Sequence, residues 1–295
     1  MSAARHDSKL FRDLMSRVAV ALFVLLVSGL LAATLVRMAP GFGMDERMLD
    51  VRLGSGSLQA IERQGAEHSN ILTYYWQYLR QLSRGDFGVS RSTGRPVREL
   101  ISERFALSLQ TVVAGLSLAW MAALAAVAML ELAHRGVNEA LASLVAGALL
   151  CTPAALVALV CVYIGATPAA AVAAILFPRI FRYVRDVVRQ AGAAPYVVTA
   201  HAFGLHPVRI LAFHVAPPVL PELLALAGIS VSMALGSMVP VEALCDSPGV
   251  GQLLWQAAMA RDLPVLVNVT LLLAALTIAA NLLADTTRST WEAQA

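Results

Sequence analysis

The side chains that most often carry out chemistry are few in this chain, and their spacing does not suit it. His201, His206 and His214 follow one another at intervals of five and eight residues, whereas neighbouring ligands on a helix need intervals of about three or four. Lys9 is the only lysine and follows no glycine-rich loop, so the chain has no phosphate-binding loop of its own. The sequence predicts no catalytic residue, metal site or cofactor on this chain.

The three cysteines give no sign of a cross-linked or metal-bound framework. Cys151, Cys161 and Cys245 lack both the pairing and the short spacing that disulfide-rich domains and zinc sites show. We expect them to pack as small apolar residues within helices.

The elements that hold these residues are apolar. Of the 295 residues, 58% are apolar and 14% are charged, the mean hydropathy is +0.70, and the net charge is +3. Soluble domains contain about 45–50% apolar and about 25% charged residues. This balance excludes a disordered chain and disfavours a soluble globule, so the excess apolar surface should face lipid.

Six uncharged stretches predict six membrane-spanning helices. A bilayer core about 30 Å thick needs about 20 apolar residues in a helix. The stretch 140–178 is about twice that length, and Gly165 and Pro168 mark a reversal within it. The first stretch is longer than a signal peptide requires, which favours a retained anchor. The predicted spans are Val18–Val36, Phe105–Leu130, Ala140–Ile164, a fourth from Pro168 that Phe177–Val184 completes, Leu223–Val241 and Leu263–Ala284.

The distribution of arginine predicts the orientation of these spans. Short cytoplasmic segments are rich in Arg and Lys, which places both termini and the arginine-rich segment 179–222 in the cytoplasm. The segment 37–104 is then external, and the apolar face of Asn70–Leu82 predicts a helix at the membrane surface or packed on the spans. The predicted domains are 1–36, 37–104, the core 105–286 with its cytoplasmic loop 185–222, and the tail 287–295.

The predicted spans lack the groups that ion-coupled transport uses. Glu131, Glu242 and Asp285 stand only at span ends, whereas proton- and ion-coupled carriers keep ionisable side chains inside the bilayer. A transporter of this kind is passive or is driven by a partner. Small residues on the fifth span either line a pathway or let helices pack closely; they are Gly228, Ser230, Ser232, Gly236 and Ser237.

The cytoplasmic loop predicts a stiff helix, glycine turn and second helix. Tyr196–Phe203 has a helical pattern, Gly204 suits the left-handed position that ends a helix, and Pro207 suits the first turn of the next. Val208–Val215 should form that second helix, which we expect to end at Pro217 and Pro218. Stiffness of this kind is what transmitting motion from a soluble partner requires.

The segment YVVTAHAFGL, residues 196–205, resembles the EAA-type cytoplasmic loop of permease subunits of bacterial ABC importers. Thr199 or its neighbour stands where many members carry glutamate, and His214 and Ala216 replace the usual aliphatic residues before the proline. What the resemblance implies is an ATPase-coupling loop whose positions are Thr199, Ala200, Ala202, Gly204 and Pro217.

Three further segments resemble the dipeptide, oligopeptide and nickel permease branch of that family. They are YYWQYLRQLSRGDFGVS, PVRELISERFALSLQT and VPVEALCDSPGVGQLLWQAAMARDLPVL, in the family's order over most of the chain. The reversal near Gly165 is shorter than the external segment that members usually carry. The external motif positions are Gly85, Asp86, Gly88, Ser90, Glu242, Pro248, Gly249, Gly251, Arg261 and Asp262.

The resemblance implies an all-α, multi-pass subunit of a bacterial inner-membrane importer for di- or oligopeptides, driven by ATP. It also implies a second homologous permease, two cytoplasmic ATPase subunits that hold ATP and Mg, an external substrate-binding protein and no nucleic acid. Two alternatives remain, an ion-coupled secondary transporter and a membrane scaffold without transport activity. A membrane enzyme is the least favoured, because no plausible catalytic set is present.

Overall fold

The computed structural model describes residues 20, 23–31, 34, 76, 79–82, 84–133 and 136–292. Throughout that part of the chain the regular elements are helices, with one isolated bridge between Val89 and Pro96. The helices are α1 (Val97–Ala133), α2 (Gly136–Cys151), α3 (Ala154–Tyr163), α4 (Pro168–Gly192), α5 (Pro195–Ala202), α6 (Pro207–Ile210), a π turn (Leu211–Val215), α7 (Ala216–Leu244), α8 (Val250–Met259) and α9 (Leu263–Glu292).

Three helical stretches in the described residues are long and apolar enough to cross a bilayer. They are Val97–Leu132, Pro207–Leu244 and Leu263–Ala284, which contain the predicted second, fifth and sixth spans. Two more helices, Leu141–Cys151 and Ala154–Tyr163, meet this criterion only as a pair. The described residues therefore form an all-helical membrane fold with three or four candidate spans.

The predicted third span is not one straight helix. Its two halves, α2 and α3, are bent by 100° at Thr152 and Pro153. Proline lacks an N–H and disfavours helical geometry in the residue before it, so it ends α2. The carbonyl of Pro153 then accepts from Leu156 and Val157 and starts α3. The bend therefore follows from Pro153, which a search for uncharged stretches treats like any other uncharged residue.

The reversal near Gly165 lies where the sequence predicted it. Gly165 adopts a φ of +69° after α3, and the Thr167 side chain accepts from the backbone of Ala170 to start α4 at Pro168. α4 is amphipathic, with Phe181 and Val184 buried and Arg182 exposed. The Arg185 guanidinium donates to Ser143 on α2. The predicted fourth segment therefore forms one 25-residue helix.

The N-terminal predictions fall largely on residues outside the described ranges. Residues 20, 23–31 and 34 of the predicted first span are helical, as are 76 and 79–82 of the predicted Asn70–Leu82 helix. The remainder of both segments lies outside the described residues.

The chain divides into two compact units. One comprises Met1–Glu103 with Leu253–Ala275, and there Val267 and Leu271 of α9 pack against leucines of the N-terminal segment: Leu25, Leu30, Leu79 and Leu82. The other comprises Arg104–Gln252 with Leu276–Ala295, and its core is α7 packed along α3 and α4. Gly115 allows α1 to approach α4 closely, because a Cβ there would lie 2.7 Å from Val172.

Candidate functional site

The predicted coupling loop has the helix, glycine turn and helix order that its sequence indicated. α5 ends at Ala202, Gly204 adopts a φ of +71°, and Pro207 stands in the first turn of α6. Thr199 is exposed and donates from its hydroxyl to the carbonyl of Pro195, 3.0 Å away. Ala200 is buried, whereas Ala202 and Gly204 are exposed. Only glycine adopts this φ freely, so the turn depends on that residue.

The second helix of the loop does not end where the sequence predicted. Pro217 and Pro218 lie in the first turn of α7, and the helix runs without a break from Pro207 to Leu244. The π turn Leu211–Val215 changes the hydrogen-bond register just before them. Pro217 and Pro218 have no N–H to donate to the preceding turn, and the altered register of the π turn lies where those two helical hydrogen bonds are missing. The result is a rod of 38 residues, about 57 Å long.

Large apolar side chains are exposed along the loop. Phe203 on the glycine turn is 81% exposed and Phe213 in the π turn is 73% exposed. Tyr196, Val198 and Val208 are also exposed. Behind them lies a cavity of about 240 Å³, whose walls come from α1, α4, α5, α6 and the π turn. Exposed large apolar side chains in a loop make that loop a candidate for contact with a partner.

In the unit that contains the N-terminus, the GDFGVS motif forms a tight turn. Gly85 and Gly88 have φ values of +80° and +72°, which glycine adopts without strain. The Asp86 side chain accepts from the backbone N–H of Gly88 at 2.9 Å. Ser90, which follows the turn, is buried. The motif thus directs one serine hydroxyl into the protein.

Asp262 is the acceptor that this serine meets. Its Oδ2 accepts from Ser90 Oγ at 2.6 Å, from Ser92 Oγ at 2.8 Å and from Ser92 N at 3.0 Å, and the residue is 1% exposed. Burial alone would raise the pKa of Asp262, but these hydrogen bonds outweigh it and hold the pKa below its usual value. Arg261 is exposed and adopts a φ of +55°, which turns the chain between α8 and α9.

Asn268 makes a second connection within this unit. Its side-chain amide donates to the carbonyl of Phe87 at 2.7 Å and to that of Pro264 at 2.8 Å. Neither Asn268 nor Ser92 was predicted from the sequence as a site residue. The signal for Asn268 was available, since a lone amide in an uncharged stretch needs a polar partner.

In the other unit, Glu242 caps the first turn of α8. Its Oε2 accepts from Gly251 N at 2.8 Å and from Ser108 Oγ of α1 at 3.0 Å, and Ser108 Oγ accepts from Val250 N at 2.7 Å. The backbone N–H of Gln252 also interacts with this carboxylate, whereas the Gln252 side-chain amide donates to Asp246. Gly249 packs so closely on the carboxylate that a Cβ would collide with it, whereas Pro248 is exposed. Ser108, a polar residue in the apolar run of α1, was missed by the sequence analysis.

Several small residues of the fifth predicted span serve packing. Ser230 is buried and accepts from the indole of Trp120 at 3.1 Å, and a Cβ on Gly228 would collide with Ala284. Ser237 is buried and donates to its own helix at Ala234. Ser232 donates to Asn281, and Gly236 has open space at its Cβ position. Gly228, Ser230 and Ser237 therefore agree with the interpretation that small residues let the helices pack closely. Gly236 has room to line a pathway.

Among the described residues, no three His, Cys, Asp or Glu side chains group as a metal site. The polar clusters in the described residues instead hold turns in place and cap the N-terminus of α8. The continuous helix Pro207–Leu244 adjoins a loop with exposed apolar side chains. These features define an all-helical membrane protein with a structured helix, glycine turn and helix before one of its long apolar helices.

Comparison with known proteins identifies the family. Residues 133–288, more than half of the chain, match the family described as the binding-protein-dependent transport system inner membrane component, and the chain belongs to that family. It is thus a permease subunit of an ABC transporter and not itself an enzyme. The predicted coupling loop, Glu242 and Asp262 all lie within the matched residues.

Relatives of this chain include several transport permeases. A protein of Brucella ovis named as a peptide permease is 24% identical over 94% of this chain and 96% of its own length. The oligopeptide transport system permease protein OppB of Salmonella typhimurium is 28% identical over 82% of this chain and 85% of its own. The di/tripeptide transport system permease protein DppB of Pseudomonas aeruginosa is 34% identical over 40% of this chain and 35% of its own.

Proposed function

We propose that this chain is the permease subunit of an ATP-driven importer of di- or oligopeptides and forms half of the pathway with a second, homologous permease. The observation that carries the proposal is the exposed apolar loop at one end of the continuous Pro207–Leu244 helix, inside the residues that match the family. The peptide class of substrate is supported by the names of relatives that align over most of both chains.

The loop around Gly204 is the proposed contact with a cytoplasmic ATPase subunit. Its positions are Thr199, Ala200, Ala202, Gly204 and Pro217, and the exposed Phe203 and Phe213 beside them supply apolar area for an interface. Because α6, the π turn and α7 are continuous, a force on the loop would move the whole rod. The ATP and Mg belong to the ATPase subunits, and this chain carries no cofactor.

The proposed topology has six spans in the bacterial inner membrane with both termini in the cytoplasm. Three of the six spans would be α1, the Pro207–Leu244 helix and α9. The bent pair α2 and α3 would form one span and α4 another, and the helical residues 23–31 would form part of the first span. Exposed arginines on α4 support placing its C-terminal end in the cytoplasm. Ser90, Asp262 and the turn after Glu242 would then lie toward the external face, where a substrate-binding protein delivers peptide.

Alternating access needs two packings of the bundle with similar free energy, and a partner that binds one of them better. Dimerising ATPase subunits would supply that preference through the loop. In the described candidate spans, Glu242 near the end of α7 is the one buried acidic or basic side chain, and the other buried polar side chains are uncharged. Selection of the substrate is assigned to the external partner in this proposal.

Reconstitution of the purified complex tests the proposal. The chain would be co-purified with the products of neighbouring genes, placed in liposomes and supplied with a peptide-loaded binding protein. We expect ATP hydrolysis to rise with the loaded binding protein and peptide uptake to require ATP. Uptake that an uncoupler abolishes and that proceeds without ATPase subunits would favour the ion-coupled alternative, and absence of any flux would favour a scaffold.

A further inference from the structure

The turn that follows the Pro207–Leu244 rod is held by an unusual arrangement of buried polar groups. The first amides of a helix have no partner within the helix, and a side chain just before the helix usually accepts from them. In α8 the cap comes instead from two other helices, through Ser108 of α1 and Glu242 of α7. The N-terminus of α8 is therefore fixed by the end of the preceding helix and by Ser108, which is 142 residues away from Val250 in the sequence.

Glu242 is enclosed on every side. It is 0% exposed, and its Oε1 has no hydrogen-bond partner among the described residues. A Cβ on Gly249 would overlap the carboxylate, and one on Gly251 would lie 2.8 Å from the Cα of Val239. The turn 245–249 thus follows the shape of the carboxylate, with Asp246 at a φ of +49° and Gly249 donating to Ser247.

Burying a carboxyl group against neutral donors is unfavourable compared with leaving it in water. A simple connection between two helices does not require it, because exposed turns cap helices with short polar side chains. The arrangement has a property that such a turn lacks. It ties the last turn of the rod, the segment 245–252 and α1 into one hydrogen-bonded cluster.

We propose that Glu242 is a positioning residue for transport, which makes movement of the Pro207–Leu244 rod and of the segment 245–252 a single movement. The coupling loop lies at one end of the rod and Glu242 at the other, about 53 Å along the helix from Pro207. A displacement that an ATPase imposes on the loop then reaches the segment 245–252 at the opposite end. This inference rests on the proposed function, because it needs an ATPase that drives the rod.

The test measures peptides transported per ATP hydrolysed by the reconstituted complex, for wild type and for Glu242→Gln. The glutamine has the same shape, but its NH₂ group would meet either the donors of Ser108 and Gly251 or the carbon of Gly249. We expect the ratio to fall by a few-fold to about thirtyfold, the range of mutations that weaken coupling between sites. Ser108→Ala removes the hydrogen bonds of Ser108 to Glu242 and Val250 but leaves the bond from Gly251 to Glu242, so it should lower the ratio less.

Ser237→Ala is the matched control, since Ser237 is also buried on α7 but donates only to its own helix. It should keep the wild-type ratio. If Glu242→Gln reduces only the amount of assembled complex and each complex keeps the wild-type ratio, Glu242 is merely structural and the inference is wrong. If wild-type hydrolysis does not respond to the loaded binding protein at all, the proposed function itself fails.

Discussion

Ser90 and Asp262 are 172 residues apart in the sequence, and a hydrogen bond of 2.6 Å joins the hydroxyl of one to the carboxylate of the other. The backbone and hydroxyl of Ser92 donate to the same oxygen. Three donors on one buried carboxylate oxygen hold the GDFGVS turn onto the segment that begins α9.

Replacing Asp262 by Asn should weaken the hydrogen bonds from Ser90 and Ser92 and so destabilise the folded protein. The amide keeps one acceptor but loses the charge that strengthens the bonds from Ser90 and Ser92, so we expect a loss of about 2 kcal/mol in the free energy of unfolding. Denaturant unfolding of the detergent-purified chain measures it. Asp86→Asn is the control, because Asp86 is exposed and Asn forms the same turn to Gly88. Equal losses in the two variants would contradict the assignment.

The hydrogen bonds to the Asp262 carboxylate also predict a dependence of stability on pH. The pKa of Asp262 is lower in the folded chain than its usual value of 3.8, so its contribution is complete above that value and is lost as the pH falls through the folded pKa. The Tm of wild type should fall faster than that of Asp262→Asn below about pH 4. Parallel Tm curves for the two proteins between pH 6 and pH 3 would show that the carboxylate contributes nothing.

The proposed coupling role of the loop around Gly204 can be tested with a pair of equivalent glycines. Gly204 and Gly165 have φ values of +71° and +69°, and neither has an atom within 4 Å of a Cβ position. Valine at either site introduces the same strain, at least about 1–2 kcal/mol. We expect Gly204→Val to lose ATP-driven uptake or ATPase binding and Gly165→Val to retain both. Wild-type uptake by a membrane-inserted Gly204→Val variant would refute the coupling role.

The exposed aromatic side chain beside Gly204 should contribute to partner binding. Phe203 is 81% exposed, so Phe203→Ser should change the free energy of unfolding by less than about 0.5 kcal/mol. Binding of the ATPase subunits should weaken by about tenfold or more, since burial of a Phe contributes about 2–3 kcal/mol. Co-purification and titration with the ATPase subunits measure this. Tyr163→Ser, at a side chain that is 91% exposed beside the Gly165 turn, should bind as wild type does.

Substitutions at two glycines of α7, Gly228 and Gly236, can distinguish a role in helix packing from a role in lining the pathway. A side chain at Gly228 would collide with Ala284, whereas Gly236 faces open space. Gly228→Val should destabilise the protein by about 1–3 kcal/mol through overpacking, and Gly236→Val should leave the unfolding transition unchanged. Reduced peptide uptake in a stable Gly236→Val protein would place that position on the pathway. Equal destabilisation by both variants would count against the packing of α7 on α9.

Much of the local structure could be predicted from the sequence, because it depends on short-range features. Uncharged stretches set the positions of α1, α7 and α9, and Gly204 and Pro168 set a turn and a helix start, since few other residues suit those backbone positions. The family resemblance rested on motifs of the same short range. The 100° bend at Pro153 was also local, but counting uncharged residues concealed it.

Only the tertiary structure decided how distant segments meet. Ser108 and Glu242 are 134 residues apart, and nothing in either segment alone shows that together they cap α8. Continuity of the helix through Pro217 depends on the π turn before it, which no residue preference signals. The residues of each stretch determine whether it prefers lipid and helical structure, because those preferences belong to single residues and their close neighbours. Which buried polar groups satisfy one another depends on the packing of the whole unit, and so it emerges only when the chain folds.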